Sequence, residues 1–146
     1  MTIPTQSSPL LLKSVFDWII IHEHLGDAFV WQLPWADYKT GFGSIGDNFW
    51  LGLDATHLLT SSQDYRLRVE VQQTSTSKWY SAEYWTFKVG DEIDKYRLEV
   101  SWYSGDAGDS LQYNVTATMT TRVTIMMITM TMMMMMMMGT WDGSCP

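Results

Sequence analysis

Tyr65-Arg66-Leu67-Arg68-Val69-Glu70-Val71 is the stretch on which the fold turns. Tyr65, Leu67, Val69 and Val71 alternate with Arg66, Arg68 and Glu70. Successive side chains of a strand point to opposite faces, so this period of two marks a half-buried antiparallel strand. A polar Thr/Ser turn follows, then a second run in which Trp85, Phe87 and Val89 share one face opposite Tyr84, Thr86 and Lys88. Gly90-Asp91-Glu92-Ile93-Asp94 reads as a tight acidic turn. A third run sets Tyr96, Leu98, Val100 and Trp102 against Arg97, Glu99 and Ser101. The connections are too short for helical crossovers, so the strands are expected to pair antiparallel.

Upstream, Asn48-Phe49-Trp50-Leu51-Gly52-Leu53 has the length and character of a buried strand. Asp54 then stands where it can cap a helix through Ala55, Thr56, His57, Leu58 and Leu59. Trp35-Ala36-Asp37-Tyr38-Lys39 suits a short helix stopped by Gly41 and Gly43. Val15-Phe16-Asp17-Trp18-Ile19-Ile20-Ile21 suits a buried strand or a short helix, which periodicity does not separate. Downstream of the third strand, residues 104–110 form a loop, and residues 114–146 are Thr- and Met-rich with an unbroken methionine run at 132–138. Such bias gives no fold on its own. The expected organisation is a divergent N-terminal segment (1–34), a sheet-rich central part (35–113) and a low-complexity tail (114–146). The expected class is α+β, a central antiparallel sheet flanked by short helices, with irregular N- and C-terminal segments.

The chain has 146 residues, enough for one domain with a real core. A hydrophobic share of 46% argues against disorder, and 8 Trp, 7 Tyr and 5 Phe favour a sheet-rich fold. The net charge of −7 offers no basic surface to a nucleic acid and would be repelled by anionic lipid, so neither partner is expected. It suits a soluble protein or one that holds a cation. Cys145 is the sole cysteine, which excludes an intrachain disulfide and a zinc site built on paired thiolates. Residues 9–21 do not read as a signal peptide, since Lys13 and Asp17 interrupt the apolar run. Residues 123–138 are apolar but, at about 16 residues diluted by threonine, fall short of the roughly 20 a membrane-spanning helix needs.

Several blocks occur in an order and spacing that resemble the fibrinogen C-terminal-like (fibrinogen-related) family. Trp35-Ala36-Asp37-Tyr38-Lys39-Thr40-Gly41-Phe42-Gly43 resembles W-x-x-Y-K-x-G-F-G, and Asn48-Phe49-Trp50-Leu51-Gly52-Leu53-Asp54 resembles [E/N]-F-W-L-G-L-[D/E]. His57-Leu58-Leu59-Thr60, Tyr65-Arg66-Leu67-Arg68-Val69-Glu70, Ala82-Glu83-Tyr84, Phe87-Lys88-Val89-Gly90 and Tyr96-Arg97-Leu98-Glu99-Val100 continue the likeness. It ends with Tyr103-Ser104-Gly105-Asp106-Ala107-Gly108-Asp109-Ser110-Leu111. The resemblance implies a partial member in which the central subdomain is kept. It further implies an extracellular, non-enzymatic recognition module of the lectin-type, matrix, signalling or innate-immune kind. Glycans, acetylated sugars among them, or extracellular proteins would be its partners.

The departures from the family pattern carry expectations of their own. Trp102 stands where the family has glycine, and its ring is expected to crowd a neighbouring element. Gln73-Thr74 replaces a D-W pair. The family's calcium loop of the D-x-D-N-D kind, its later Cys pair and its G-G-W-W-Y-type stretch are not recognisable after Tyr113. No cofactor is therefore expected, and the calcium and ligand pocket of the family are expected to be lost. Repeated GAT codons (Asp) read one place along as ATG (Met), so a frame-shifted or truncated, non-functional gene product is the alternative expectation.

No Ser/His/Asp arrangement with a nucleophile elbow and no phosphate-binding glycine loop is present, so no catalytic residue is assigned. His22-Glu23-His24 invites a metal reading, but no further ligand is identifiable and a surface or incidental role is expected. His57 is expected to be a packed core residue with one satisfied nitrogen. Asp91, Glu92 and Asp94, and likewise Asp106 and Asp109, lack the regular spacing of a calcium loop and are expected to be solvated turns. Trp79, Tyr80, Trp85 and Trp102 have the chemistry to stack on sugar rings, yet core packing is the expected role for most of them. Asn114-Val115-Thr116 is a possible N-glycosylation site.

Overall fold

The structure, a computed structural model, describes residues 14–15, 18–25, 32–111 and 133–140. Its strands are β1 (Ser14–Val15), β2 (Trp18–His24), β3 (Phe42–Gly43), β4 (Phe49–Trp50), β5 (Tyr65–Gln73), β6 (Lys78–Val89), β7 (Leu98–Gly105) and β8 (Met133–Thr140). Two helices, α1 (Trp35–Thr40) and α2 (Leu53–Ser62), complete the described elements. The strands form one sheet in the order β3-β4-β2-β8-β5-β6-β7, with β1 added to β2 and every strand pairing antiparallel. The α+β class with a central antiparallel sheet and short helices is as the alternation of residues 65–71 implies.

β5 buries Tyr65, Leu67, Val69 and Val71 and leaves Arg66, Arg68 and Glu70 half-exposed, as read. These four join Ile21, Trp50, Leu51, Leu53, Tyr84, Phe87, Val89 and Tyr96 in one core. Full burial of side chains this size contributes about 1.5–3 kcal/mol each relative to exposure. β6 departs from simple alternation. Tyr84 and Phe87, expected on opposite faces, are both buried. The register with β5 shifts between Tyr65↔Phe87 and Leu67↔Tyr84, so Trp85 and Thr86 together face Arg66. That is a β-bulge, and its extra residue carries the alternation across to the other face.

The helix at 53–62 packs against β6. Thr60 Oγ1 accepts the N–H of Val89 at 3.1 Å, and His57 Nδ1–H donates to the Val89 carbonyl at 2.8 Å. The helix begins one residue before the expected cap. Gly52 is the N-cap at φ 100°, and Asp54, already inside the first turn, takes the Tyr96 hydroxyl instead. The apolar run at 48–53 is a strand only at Phe49–Trp50, because Gly52 turns the chain into the helix. α1 ends as expected at Gly41, whose N–H bonds the Asp37 carbonyl at 2.8 Å.

Residues 132–138, which carry no strand signal, contribute most of β8. It lies between β2 and β5, pairing Met136 with both His22 and Val69. A methionine run has no period of two, so its strand state follows from two long neighbours that each need a hydrogen-bonding partner along that side. Trp18 and Arg66 both lie opposite Gly139 of this strand. Across this strand the Arg66 guanidinium sits 4.5 Å from the Trp18 ring centre, and 5.8 Å from that of Trp85.

Trp102 corrects the expectation that its ring crowds a neighbour. It is 66% exposed and has φ +61° in the middle of β7. Glycine suits such a position because a Cβ in left-handed backbone costs about 1–2 kcal/mol. The misfit with the family pattern is thus one of backbone rather than of packing. Trp102→Gly is expected to stabilise the fold by about 0.5–1 kcal/mol, strain relief outweighing the extra freedom of the unfolded chain, and to raise Tm by a few °C. A thermal melt lower than that of the parent chain would refute it.

Candidate recognition surface

The sheet has a core face and an outer face, and the outer face of β5–β6 carries a polar and aromatic grouping. The turn at 74–77 sets the hairpin so that Gln72 pairs with Trp79, Glu70 with Ser81, and Arg68 with Glu83. Arg68 Nε donates to Glu70 Oε1 at 2.7 Å, and Arg68 Nη1 donates to Glu83 Oε1. One guanidinium is thereby held by two carboxylates, one along its own strand and one across. Asp106, just past β7, accepts the Ser81 N–H at 2.8 Å and returns its own N–H to the Ser81 carbonyl at 2.9 Å. Arg68, Glu70, Trp79, Tyr80, Ser81 and Asp106 line an open cleft of about 360 Å³.

Core packing, expected for most of the four aromatics singled out, holds for Tyr80, which packs partly buried against the core. Trp79 is 45% exposed at the cleft wall, Trp102 is exposed, and Trp85 is half-buried beside Arg66. Solvent-facing indoles at opposite ends of this face were not distinguishable from core ones by pattern, since both fall in regular strands. The Arg68–Glu83 pair was missed as well. Centring the hairpin on Thr74–Ser77 would have revealed it, because that turn sets the register.

His22, Glu23 and His24 lie on β2 and are all buried, which corrects the expectation of a surface role. The strand is flanked by β4 and β8, so its middle residues are covered. His22 Nδ1–H donates to the Phe49 carbonyl at 3.0 Å, and its ring meets Trp50 edge-on at 5.8 Å. Burial pulls the His22 pKa down to about 4, against the raising effect of the Phe49 carbonyl and with a small push from His24. Glu23 Oε2 accepts the Gly46 N–H at 2.7 Å, tying β2 to the loop between β3 and β4. These residues act as interior polar ties.

His57 keeps one nitrogen on the Val89 carbonyl, as expected, but is half-buried at the seam between α2 and β6. Asp91, Glu92 and Asp94 form the exposed turn foreseen. Glu92 pairs with Lys39 at 2.6 Å, and Asp94 with Arg97 at 3.0 Å. Asp109 accepts the Tyr84 hydroxyl at 3.0 Å, and the Leu111 N–H donates to that same oxygen at 3.2 Å. Burial, opposed by the Leu111 N–H and reinforced by Asp109, holds the Tyr84 hydroxyl well above the ordinary phenol range. Asn114 and Cys145 lie outside the described residues.

Among the described residues no three His, Cys, Asp or Glu side chains converge as a metal site, and no helix is long and apolar enough to cross a membrane. The class defined is therefore an α+β domain whose single antiparallel sheet buries one face and presents a polar, aromatic outer face. The profile for fibrinogen beta and gamma chains, C-terminal globular domain, matches residues 13–143. The chain belongs to that family. It is 40% identical over 104 residues to fibrinogen-like protein A of Apostichopus parvimensis, covering 71% of this chain and 36% of that one. It is 36% identical to angiopoietin-related protein 1 of Mus musculus, covering 71% of this chain and 21% of the relative.

Among solved structures, the fibrinogen-like globe domain of human ANGPTL6 matches with TM-score 0.62 and 36% identity, over 65% of this chain and 42% of that one. A lamprey fibrin D-dimer complexed with the peptide ligand Gly-His-Arg-Pro-amide matches with TM-score 0.59 and 33% identity, over 66% of this chain and 33% of that one. The chain thus spans about a third or less of the curated relatives' length. The residues after Tyr113, where the family's calcium loop would fall, are outside the described set apart from β8.

Proposed function

We propose that the chain is an extracellular, non-enzymatic recognition module that binds glycans or extracellular proteins through its sheet domain without calcium. The observation that carries this is membership of the fibrinogen C-terminal family over nearly the whole chain. Relatives named as fibrinogen-like, angiopoietin-related and tenascin proteins support a binding role, as does the lamprey match, which is complexed with a peptide ligand. No D-x-D-N-D loop is recognisable in residues 114–146, which supports a calcium-independent mode. The pairing of β8 with both β2 and β5 favours a folded domain over a non-functional, frame-shifted product. A cooperative melt in solution is the expected behaviour of such a domain.

The test is capture by the immobilised chain from panels of purified matrix proteins and neutral glycans, with and without a calcium chelator. Saturable capture that survives chelation is the expected result. Capture lost on chelation would overturn the calcium-independent mode. A cooperatively melting chain that captures nothing from either panel would overturn the recognition role.

A further inference from the structure

We propose that the seam between β2 and β8 is a site for a soft monovalent metal ion, Cu(I), built from two histidine–methionine pairs. The register sets His22 directly opposite Met136 and His24 directly opposite Met134. Residues paired across an antiparallel ladder share a face of the sheet, with Cβ atoms about 5 Å apart. Residues two apart on one strand share that face as well, about 7 Å along it. The four positions therefore mark the corners of a small rectangle, with the histidines on one strand and the methionines on the next. On the other side of β8, Met136 pairs with Val69 and Met134 with Val71. Both valines are buried in the core, so the rectangle belongs to the core face.

The donor types on that face select the ion. Glu23, the hard oxygen donor of the His22-Glu23-His24 motif, is paired with Met135 on the opposite face, and its Oε2 takes the Gly46 N–H at 2.7 Å. The rectangle itself offers only neutral nitrogen and soft sulfur. Thioethers favour Cu(I). Zn(II) draws on thiolate, imidazole and carboxylate, and Ca(II) and Mg(II) draw on oxygen, so a methionine pair gives those ions nothing. A single positive charge is, besides, cheaper to bury among neutral donors than a double one. His22 is already oriented for the task. Its Nδ1–H donates to the Phe49 carbonyl at 3.0 Å, which places the ring's lone pair on Nε2, the way proteins commonly set a ligating histidine. Trp50, Val69 and Val71 form an apolar shell around the rectangle, and such a shell limits the access of water to a bound ion.

The experiment uses the full chain carrying Cys145→Ser, which removes a competing soft thiol, under anaerobic conditions with ascorbate. Cu(I) is supplied as its bicinchoninate complex, whose colour fades as the protein takes the ion. Transfer of one Cu(I) per chain is expected, with both nitrogen and sulfur ligands in the X-ray absorption spectrum at the copper edge. Met134→Leu combined with Met136→Leu, a volume-conserving change, is expected to weaken binding at least about a hundredfold. Met135→Leu combined with Met137→Leu is the matched control. Those residues pair with Glu70 and Arg68 on the outer face, so the same number of thioethers is lost from the wrong side. The control is expected to bind within about threefold of the parent. His22→Asn is expected to weaken binding as the first pair does. A melt of each variant confirms that the fold persists. No Cu(I) drawn from the competitor overturns the proposal. So does an equal loss in the two methionine pairs, which would make the run a non-specific thioether sink. Displacement of the Cu(I) by excess Zn(II) also overturns it, since the histidines alone would then be the site. The recognition role stands or falls separately, on capture by the immobilised chain.

Discussion

Gly52→Ala is expected to destabilise the chain by about 4 kcal/mol or more, a large fraction of the 5–15 kcal/mol that holds a domain of this size together. Gly52 is fully enclosed at the junction of β4 and α2 with φ +100° and ψ 148°, a region open in practice to glycine alone. Backbone strain there costs about 1–3 kcal/mol for any other residue. Space is the larger obstacle. A Cβ would stand 2.7 Å from Gly41 N and from the Lys39 carbonyl oxygen, and a Cβ on Gly41 would in turn stand 2.5 Å from the Leu51 carbonyl oxygen. Both obstacles are main chain, so no side chain can swing aside.

These two glycines let the end of α1 cross the start of α2 backbone against backbone. Gly46→Ala is the matched control, since Gly46 also has positive φ, 91°, but nothing within 4 Å of the added methyl. Its expected cost is only about 1 kcal/mol. Urea midpoints for the two variants test the difference, and near-equal midpoints would refute the close-approach account.

The same residues show where a sequence speaks and where it stays silent. The alternation of Tyr65, Leu67, Val69 and Val71 was legible because one face of β5 meets the core and the other meets water. Tyr84 was not, because the bulge opposite Arg66 is set by pairing with β5 and leaves no local mark. Tyr96 was counted into the third strand, yet it sits in the preceding turn at φ +49°, buried, with its hydroxyl on Asp54. Local alternation extends through such a residue although the backbone does not. β8 had no signal, since its strand character is supplied by β2 and β5 from either side. The cleft was half legible. Arg66, Arg68 and Glu70 were placed together on one face, but their partners Glu83 and Asp106 are reached only through the sheet's register.

Acidification is expected to remove about 3 kcal/mol of stability through His22 alone as the pH falls from about 6.5 to about 4. The ring is buried on β2, and burial is the chief reason its pKa falls to about 4 from the ordinary 6.5. The folded state therefore favours the neutral ring, while the unfolded chain takes up a proton near pH 6.5. Stability from this residue is complete above that pH and drains away below it, levelling off once the folded state also protonates near pH 4. The neutral ring is useful where it lies. Its Nδ1–H holds the Phe49 carbonyl, and its edge packs on Trp50, whose own N–H reaches the Tyr38 carbonyl at 2.9 Å.

Charging His22 thus strains the seam that joins β2 to β4 and α1. Surface carboxylates also lose their partners in acid, so the comparison must be internal. His22→Asn keeps an N–H donor where Nδ1 stands but has no proton to gain. Urea unfolding at pH 7.5 and 4.5 should show the parent chain losing about 3 kcal/mol more than this variant. Parallel losses in the two chains would place the acid sensitivity elsewhere and dismiss His22 as its source.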